Sequence, residues 1–114
     1  MAGAWLWVGT ASWRIAEPAL IQNLPDDGGS RQNAEFRLRL ARRFPVGSRE
    51  QSLATELRRE GFSLIDRDRP ASTYHEAKWH RDGFPCVGDA EVRWTVDRNG
   101  RIATIDGMYG YACL

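Results

Sequence analysis

Residues 44–62, FPVGSREQSLATELRREGF, mark both ends of a helix, and no other stretch constrains the fold as tightly. Ser48 stands three residues before Gln51, the S-x-x-Q spacing of a capping box, which satisfies two amide donors left open at a helix start. Leu53, Ala54 and Leu57 share one face, while Arg49, Glu56, Arg59 and Glu60 take the solvent. Gly61 lies just past the last turn, where a left-handed backbone costs glycine nothing, and Phe62 supplies the apolar contact of such an ending.

A second helix precedes it. From about residue 33 to 44, Phe36, Leu40 and Phe44 recur every fourth position with Ala41 beside them. Leu38 falls off this stripe, between Arg37 and Arg39, which predicts a buried arc wider than the stripe. Ser30 or Asn33 caps the start. Pro45 ends the helix, because the residue before proline is pushed out of the helical region. Only Pro45-Val46-Gly47 separates the two helices, so they form a tight pair.

After Phe62 the period changes. Phe62, Leu64 and Ile65 read as a first strand running into the charged turn DRDRP, whose Asp66 and Asp68 are neutralised by Arg67 and Arg69. Residues 72–81, STYHEAKWHR, read as a second strand, DGFPCVGD as a loop, and EVRWTV at 91–96 as a cleanly alternating third strand. DRNG at 97–100 is a hairpin turn with Gly100 at the positive-φ position, and RIATIDGMYGY returns. Placing Asp97 opposite Arg101 sets Trp94 against Thr104 and sends Ile105 to the other face, near Arg93. The expectation is an α+β fold, a two-helix hairpin packed on a three- or four-stranded antiparallel sheet in the order ααβββ.

The 114 residues suffice for one core. The division expected is an apolar segment and linker over 1–32, followed by the folded body over 33–114. Residues 1–13 carry no charge, and AWLWV at 4–8 is too short for a membrane span of about 20 residues. It also lacks the basic start of a signal peptide. Two readings fit: a buried element, or the remnant of an anchor followed by the linker LPDDGGSRQN. The second is favoured, with membrane contact only through this segment.

Formal net charge is +1, which argues against a nucleic-acid binder. Arginine outnumbers lysine fifteen to one, a bias that codon usage explains as readily as a need for bidentate contacts. Residues 31–60 hold eight arginines against four glutamates, a mildly basic helical layer that is either a solvated face or a surface steering acidic partners.

Cys86 and Cys113 are expected to form one disulfide pinning the C-terminus to the loop before the hairpin, and with it an oxidising compartment. Metal binding is not expected, since His80 and Cys86 alone are too few ligands. His75 and His80, an odd number of residues apart, fall on opposite faces of a strand and share no site. No nucleophile elbow, phosphate loop or dinucleotide motif is present, so neither catalysis nor a cofactor is expected. Trp94 belongs to the core. Trp79, Tyr109 and Tyr111, together with Arg39 and Arg43, are the expected contacts to another protein.

FPVGS at 44–48, Gln51, Leu57 and the hairpin VRWTVDRNGRI at 92–102 resemble the SmpA/OmlA (BamE) family of small outer-membrane lipoproteins, over about residues 33–109. Two departures stand out: LRREGF replaces the family's Leu-Gly-x-Pro, and no lipobox cysteine lies near Met1. The resemblance implies a helix pair on a three-stranded sheet, as in β-lactamase inhibitor protein. It also implies an envelope or periplasmic location and a non-catalytic, protein-binding role. An immunity or inhibitor protein that blocks a toxin or enzyme with its sheet face is the alternative.

Overall fold

In a computed structural model of the chain, which describes residues 18–25, 29–65, 74–83 and 86–113, two helices precede four strands. The helices are α1 (Ser30–Arg43) and α2 (Glu50–Arg59); the strands are β1 (Ser63–Ile65), β2 (His75–Arg81), β3 (Cys86–Val96) and β4 (Ile102–Cys113). The strands form one antiparallel meander in sequence order, so the chain has the expected α+β fold with a four-stranded sheet. The AWLWV segment, the DRDRP turn and the start of the predicted second strand at 72–73 lie outside the described residues.

α2 ends as its sequence dictates. Gly61 adopts φ 97°, its N–H donates to the Arg58 carbonyl at 3.1 Å, and the Phe62 N–H donates to Leu57 at 2.9 Å. This is the paired hydrogen bonding of a Schellman ending, and it drives Phe62 into the core. The start differs from expectation, because the Ser48–Gln51 capping box does not form. The Ser48 hydroxyl donates instead to the Pro45 carbonyl at 2.6 Å. The hairpin anchors the helix start instead: the Glu50 N–H donates to Gly100 at 3.1 Å, and Ile102 and the 47–48 turn exchange two backbone bonds of 2.8 Å. The stretches FPVGS and DRNGRI, far apart in sequence, are thus clipped together.

α1 begins at Ser30 with neither expected side-chain cap. Asn33 donates to the Gly29 carbonyl at 3.1 Å, while its carboxamide oxygen accepts the Tyr109 N–H at 2.9 Å. Leu38 is 44% exposed, so the buried arc is no wider than the Phe36–Leu40 stripe.

Phe36, Leu40, Leu53 and Leu57 are fully buried between the helices and the inner sheet face, each such burial being worth about 1.5–3 kcal/mol. Ala77, Trp79, Ala90, Val92 and Trp94 meet them from the sheet. Gly107 completes the contact: a Cβ there would lie 2.7 Å from the Phe36 ring, so only glycine lets α1 approach β4. The expected linker boundary at residue 32 is not a structural one. Leu20 and Ile21 belong to the core, and the 18–21 turn closes through an Ile21 N–H to Pro18 carbonyl bond of 3.1 Å.

Two further expectations about the sheet are corrected. Residues Cys86–Asp89 of the expected loop begin β3 instead, pairing with 110–113 of β4. A bulge at Ala103 then shifts the hairpin register, so Trp94 faces Ile105 while Thr95 faces Thr104. The extra residue returns Ile105 to the inner face, where it packs on the core. Cys86 and Cys113 are direct cross-strand partners with Cα atoms 4.0 Å apart, and they form the expected disulfide.

Candidate functional site

Among the described residues the helices cover only one face of the sheet. On the other, strand alternation sets out Glu76, Lys78 and His80 of β2, Asp89, Glu91, Arg93 and Thr95 of β3, and Thr104, Asp106 and Met108 of β4. Register arranges these in rows across the strands: Glu76–Arg93–Asp106, Lys78–Glu91–Met108, and His80–Asp89.

Arg93 is the hub. Its Nε lies 2.6 Å from Glu91 and 3.6 Å from Glu76, and its guanidinium sits 5.3 Å from the Tyr74 ring centroid. The Glu91 carboxylate raises the Arg93 pKa above the ordinary arginine value, first through the hydrogen bond and then through charge. The Glu76 side chain is only 3% exposed, a buried carboxylate beneath this cation. Asp106 pairs with Arg37 of α1 at 3.1 Å, tying the helix layer to the row's end. Thr95 and Thr104 share a 2.6 Å hydroxyl hydrogen bond, and Met108 stands 59% exposed opposite Glu91.

His80 occupies the far corner. Its Nδ1 lies 2.5 Å from Asp89 and its Nε2 2.7 Å from Asp82. Both hydrogen bonds, that to Asp89 the larger, raise its pKa above 6.5. With both ring nitrogens held by carboxylates, the imidazole has none left to take a proton from a substrate. Among the described residues no group of three or more His, Cys, Asp or Glu is placed to hold a metal ion.

Of the residues expected to make contacts, Tyr109 and Tyr111 adjoin, with ring centroids 6.4 Å apart, but the set does not form one exposed surface. Trp79 is corrected from exposed to buried, at 7% exposure. It shares parity with Ala77 on the inner face, and its indole packs beside Gly61 and Gly88, where an added Cβ would lie at an ordinary contact distance of 3.6 Å. Tyr109 is half-buried, its ring centroid 6.4 Å from that of Phe36, while Tyr111 beside it is 39% exposed.

Arg39 and Arg43 are structural latches. Arg39 donates to the carbonyls of Leu20 at 3.2 Å, Gln22 at 2.5 Å and Asn23 at 3.3 Å, and pairs with Glu35 at 3.3 Å. Arg43 pairs with Glu56 and Glu60, and Glu60 in turn accepts the Leu20 N–H at 3.4 Å. His75 and His80 do fall on opposite faces, His75 stacking on Trp94 with ring centroids 5.8 Å apart.

Sequence reading missed the His80–Asp89 pair and the Arg93 hub. His80–Asp89 and Glu76–Arg93 are cross-strand neighbours, so that signal appears only once the β2–β3 register is known.

No protein family matches the chain, and neither does any curated protein or solved structure.

Proposed function

We propose that this chain is a non-catalytic protein-binding module of the cell envelope, working through the uncovered face of its sheet. The observation that carries this reading is the helix-free face itself, where rows of opposite charge, Thr hydroxyls and the exposed Met108 stand on paired strands. Strands hold such side chains at fixed spacing, so a complementary surface loses little conformational entropy on docking. Mixed signs favour specificity over general stickiness.

The envelope location is supported by the Cys86–Cys113 disulfide, a bond that persists in oxidising compartments. The resemblance to the SmpA/OmlA (BamE) lipoproteins supports the same reading. Its two sequence segments, FPVGS and the hairpin, are hydrogen-bonded to each other here. The inhibitor alternative uses the same face and differs only in its partner, a single soluble enzyme or toxin.

A photocrosslinker placed at Met108 on the open face, and in parallel at Leu38 on the helical side, tests the proposal in the cells that make the protein. A discrete adduct from position 108 and none from 38 is expected. Equal labelling from both positions, or none from 108, would overturn it. An adduct to one soluble enzyme would select the inhibitor alternative.

A further inference from the structure

We propose that the groove between the hairpin turn and the start of α2 docks acidic side chains of a protein partner. The groove holds about 590 Å3 and is lined by Arg49, Glu50, Gln51, Asn99, Gly100 and Arg101. It lies outside the uncovered sheet face described above.

Its walls are fixed by backbone. Arg49 and Arg101 form an isolated antiparallel bridge, flanked by the Glu50–Gly100 and Ile102–Ser48 hydrogen bonds. The bridge sets two guanidinium-bearing side chains directly opposite one another, an arrangement that destabilises a strand pair when the charges are alike.

Five arginines of the fold, Arg37, Arg39, Arg43, Arg59 and Arg93, reach carboxylates, while Arg42 and Arg58 lie on helix surfaces without one among the described residues. Arg49 and Arg101, and Arg98 in the adjoining turn, reach none among the described residues. Arg101 makes one side-chain bond, from Nη1 to the Gly47 carbonyl at 2.9 Å, leaving the rest of its fork unused.

The two acids nearby are committed. Glu50 turns to His75 at 3.8 Å. The Asp97 carboxylate accepts the Asn99 N–H at 2.8 Å and the Arg101 N–H at 3.0 Å. Two planar donor forks facing one groove match carboxylates, which accept bidentate pairs from guanidinium. The Asn99 and Gln51 side chains line the same space and add neutral donors. Docked acids would relieve the repulsion that the bridge builds in.

The inference rests on the protein-binding reading above but fails separately from it. The test titrates the oxidised full chain with hexaglutamate and, in a second arm, with inorganic phosphate, following backbone amide shifts by NMR. Hexaglutamate is expected to move the amides of Gln51, Asn99, Gly100 and Arg101, with affinity falling as salt rises. Arg49→Gln should weaken binding roughly tenfold, one lost charge-assisted pair. The double variant Arg42→Gln/Arg58→Gln, on helix surfaces away from the groove, should stay within about twofold of the parent.

Arg49→Gln also removes one of two like charges, so its thermal midpoint should equal or exceed that of the parent. Three results would overturn the inference: equal losses in the two variants, a lowered midpoint in Arg49→Gln, or phosphate binding the same amides as tightly as the peptide. Any of them leaves the Met108 crosslinking result standing on its own.

Discussion

Replacing Gly107 with alanine tests how α1 meets the sheet. An added Cβ would lie 2.5 Å from Leu40 Cδ1, 2.7 Å from Phe36 Cε2 and 3.1 Å from the Glu91 carbonyl oxygen. Both side chains are fully buried, and the carbonyl belongs to the paired strand β3, so no neighbour yields freely. Such overpacking costs about 1–3 kcal/mol. Alanine recovers about 0.5–1 kcal/mol over glycine within a strand. The net is a loss of about 1–2 kcal/mol, or roughly 4–8 °C in midpoint for a domain of this size.

Urea unfolding of the oxidised protein measures it. Gly110→Ala serves as control, because nothing lies within 4 Å of a Cβ there and its stability should hold or rise. Leu40→Ala alone should cost about 2–5 kcal/mol, but it removes the nearest of the atoms the new methyl meets. Gly107→Ala should therefore cost less in that background, with the approach to Phe36 remaining, a coupling of about 1 kcal/mol. Additivity of the two substitutions within about 0.5 kcal/mol would refute the steric account.

Arg39→Ala should release the 18–23 turn, raising amide exchange at Ile21, and Arg39→Lys should restore little, since an ammonium cannot reach the same spread of carbonyls. His80 should titrate above 6.5, and Asp89→Asn should lower its pKa more than Asp82→Asn does, as read from its imidazole proton shifts. Because the folded pKa is the higher one, the His80 contribution to stability is complete below 6.5 and disappears as pH rises through the folded value. Unfolding midpoints of His80→Gln should then vary less with pH across that window than those of the parent. Reducing Cys86–Cys113, which closes a separation of 27 residues, should cost about 3.5 kcal/mol in the chain-entropy view, seen as a lower urea midpoint. The hairpin register should survive in the reduced protein's cross-strand NMR contacts.

Legibility in the sequence followed the range of each interaction. The end of α2 was readable because Gly61 and Phe62 act on carbonyls within five residues. The start was misread for the converse reason: the acceptors that relieve it come from Gly100 and Ile102, about fifty residues away. The bulge at Ala103 leaves no compositional mark, yet it decides which face Ile105 takes. Cys86–Asp89 looked like loop because Pro85 precedes it and Gly88 interrupts it, but Gly88 lies in the strand interior, paired on both sides. Trp79 itself was misplaced because aromatic composition cannot tell a contact residue from a core residue; parity with Ala77 could have.

Arginine usage follows from the same long-range logic. A helix pair over a four-stranded sheet leaves the 18–23 turn with carbonyls pointing at α1 and no strand to pair with. One planar cation answers several of them at once, as Arg39 does, and Arg43 with Glu60 closes the other side. Lysine, a single charge on a flexible stem, would satisfy fewer acceptors at greater entropic cost. The bias that seemed either codon usage or binding chemistry is thus in part internal architecture. Arg49, Arg98 and Arg101 have no such assignment among the described residues, and in the proposed groove Arg49 and Arg101 would dock acids. Reversing one of them to glutamate should disturb partner choice before it disturbs the fold. A loss of folded protein in Arg49→Glu, measured by amide dispersion, would show instead that the bridge needs its charge.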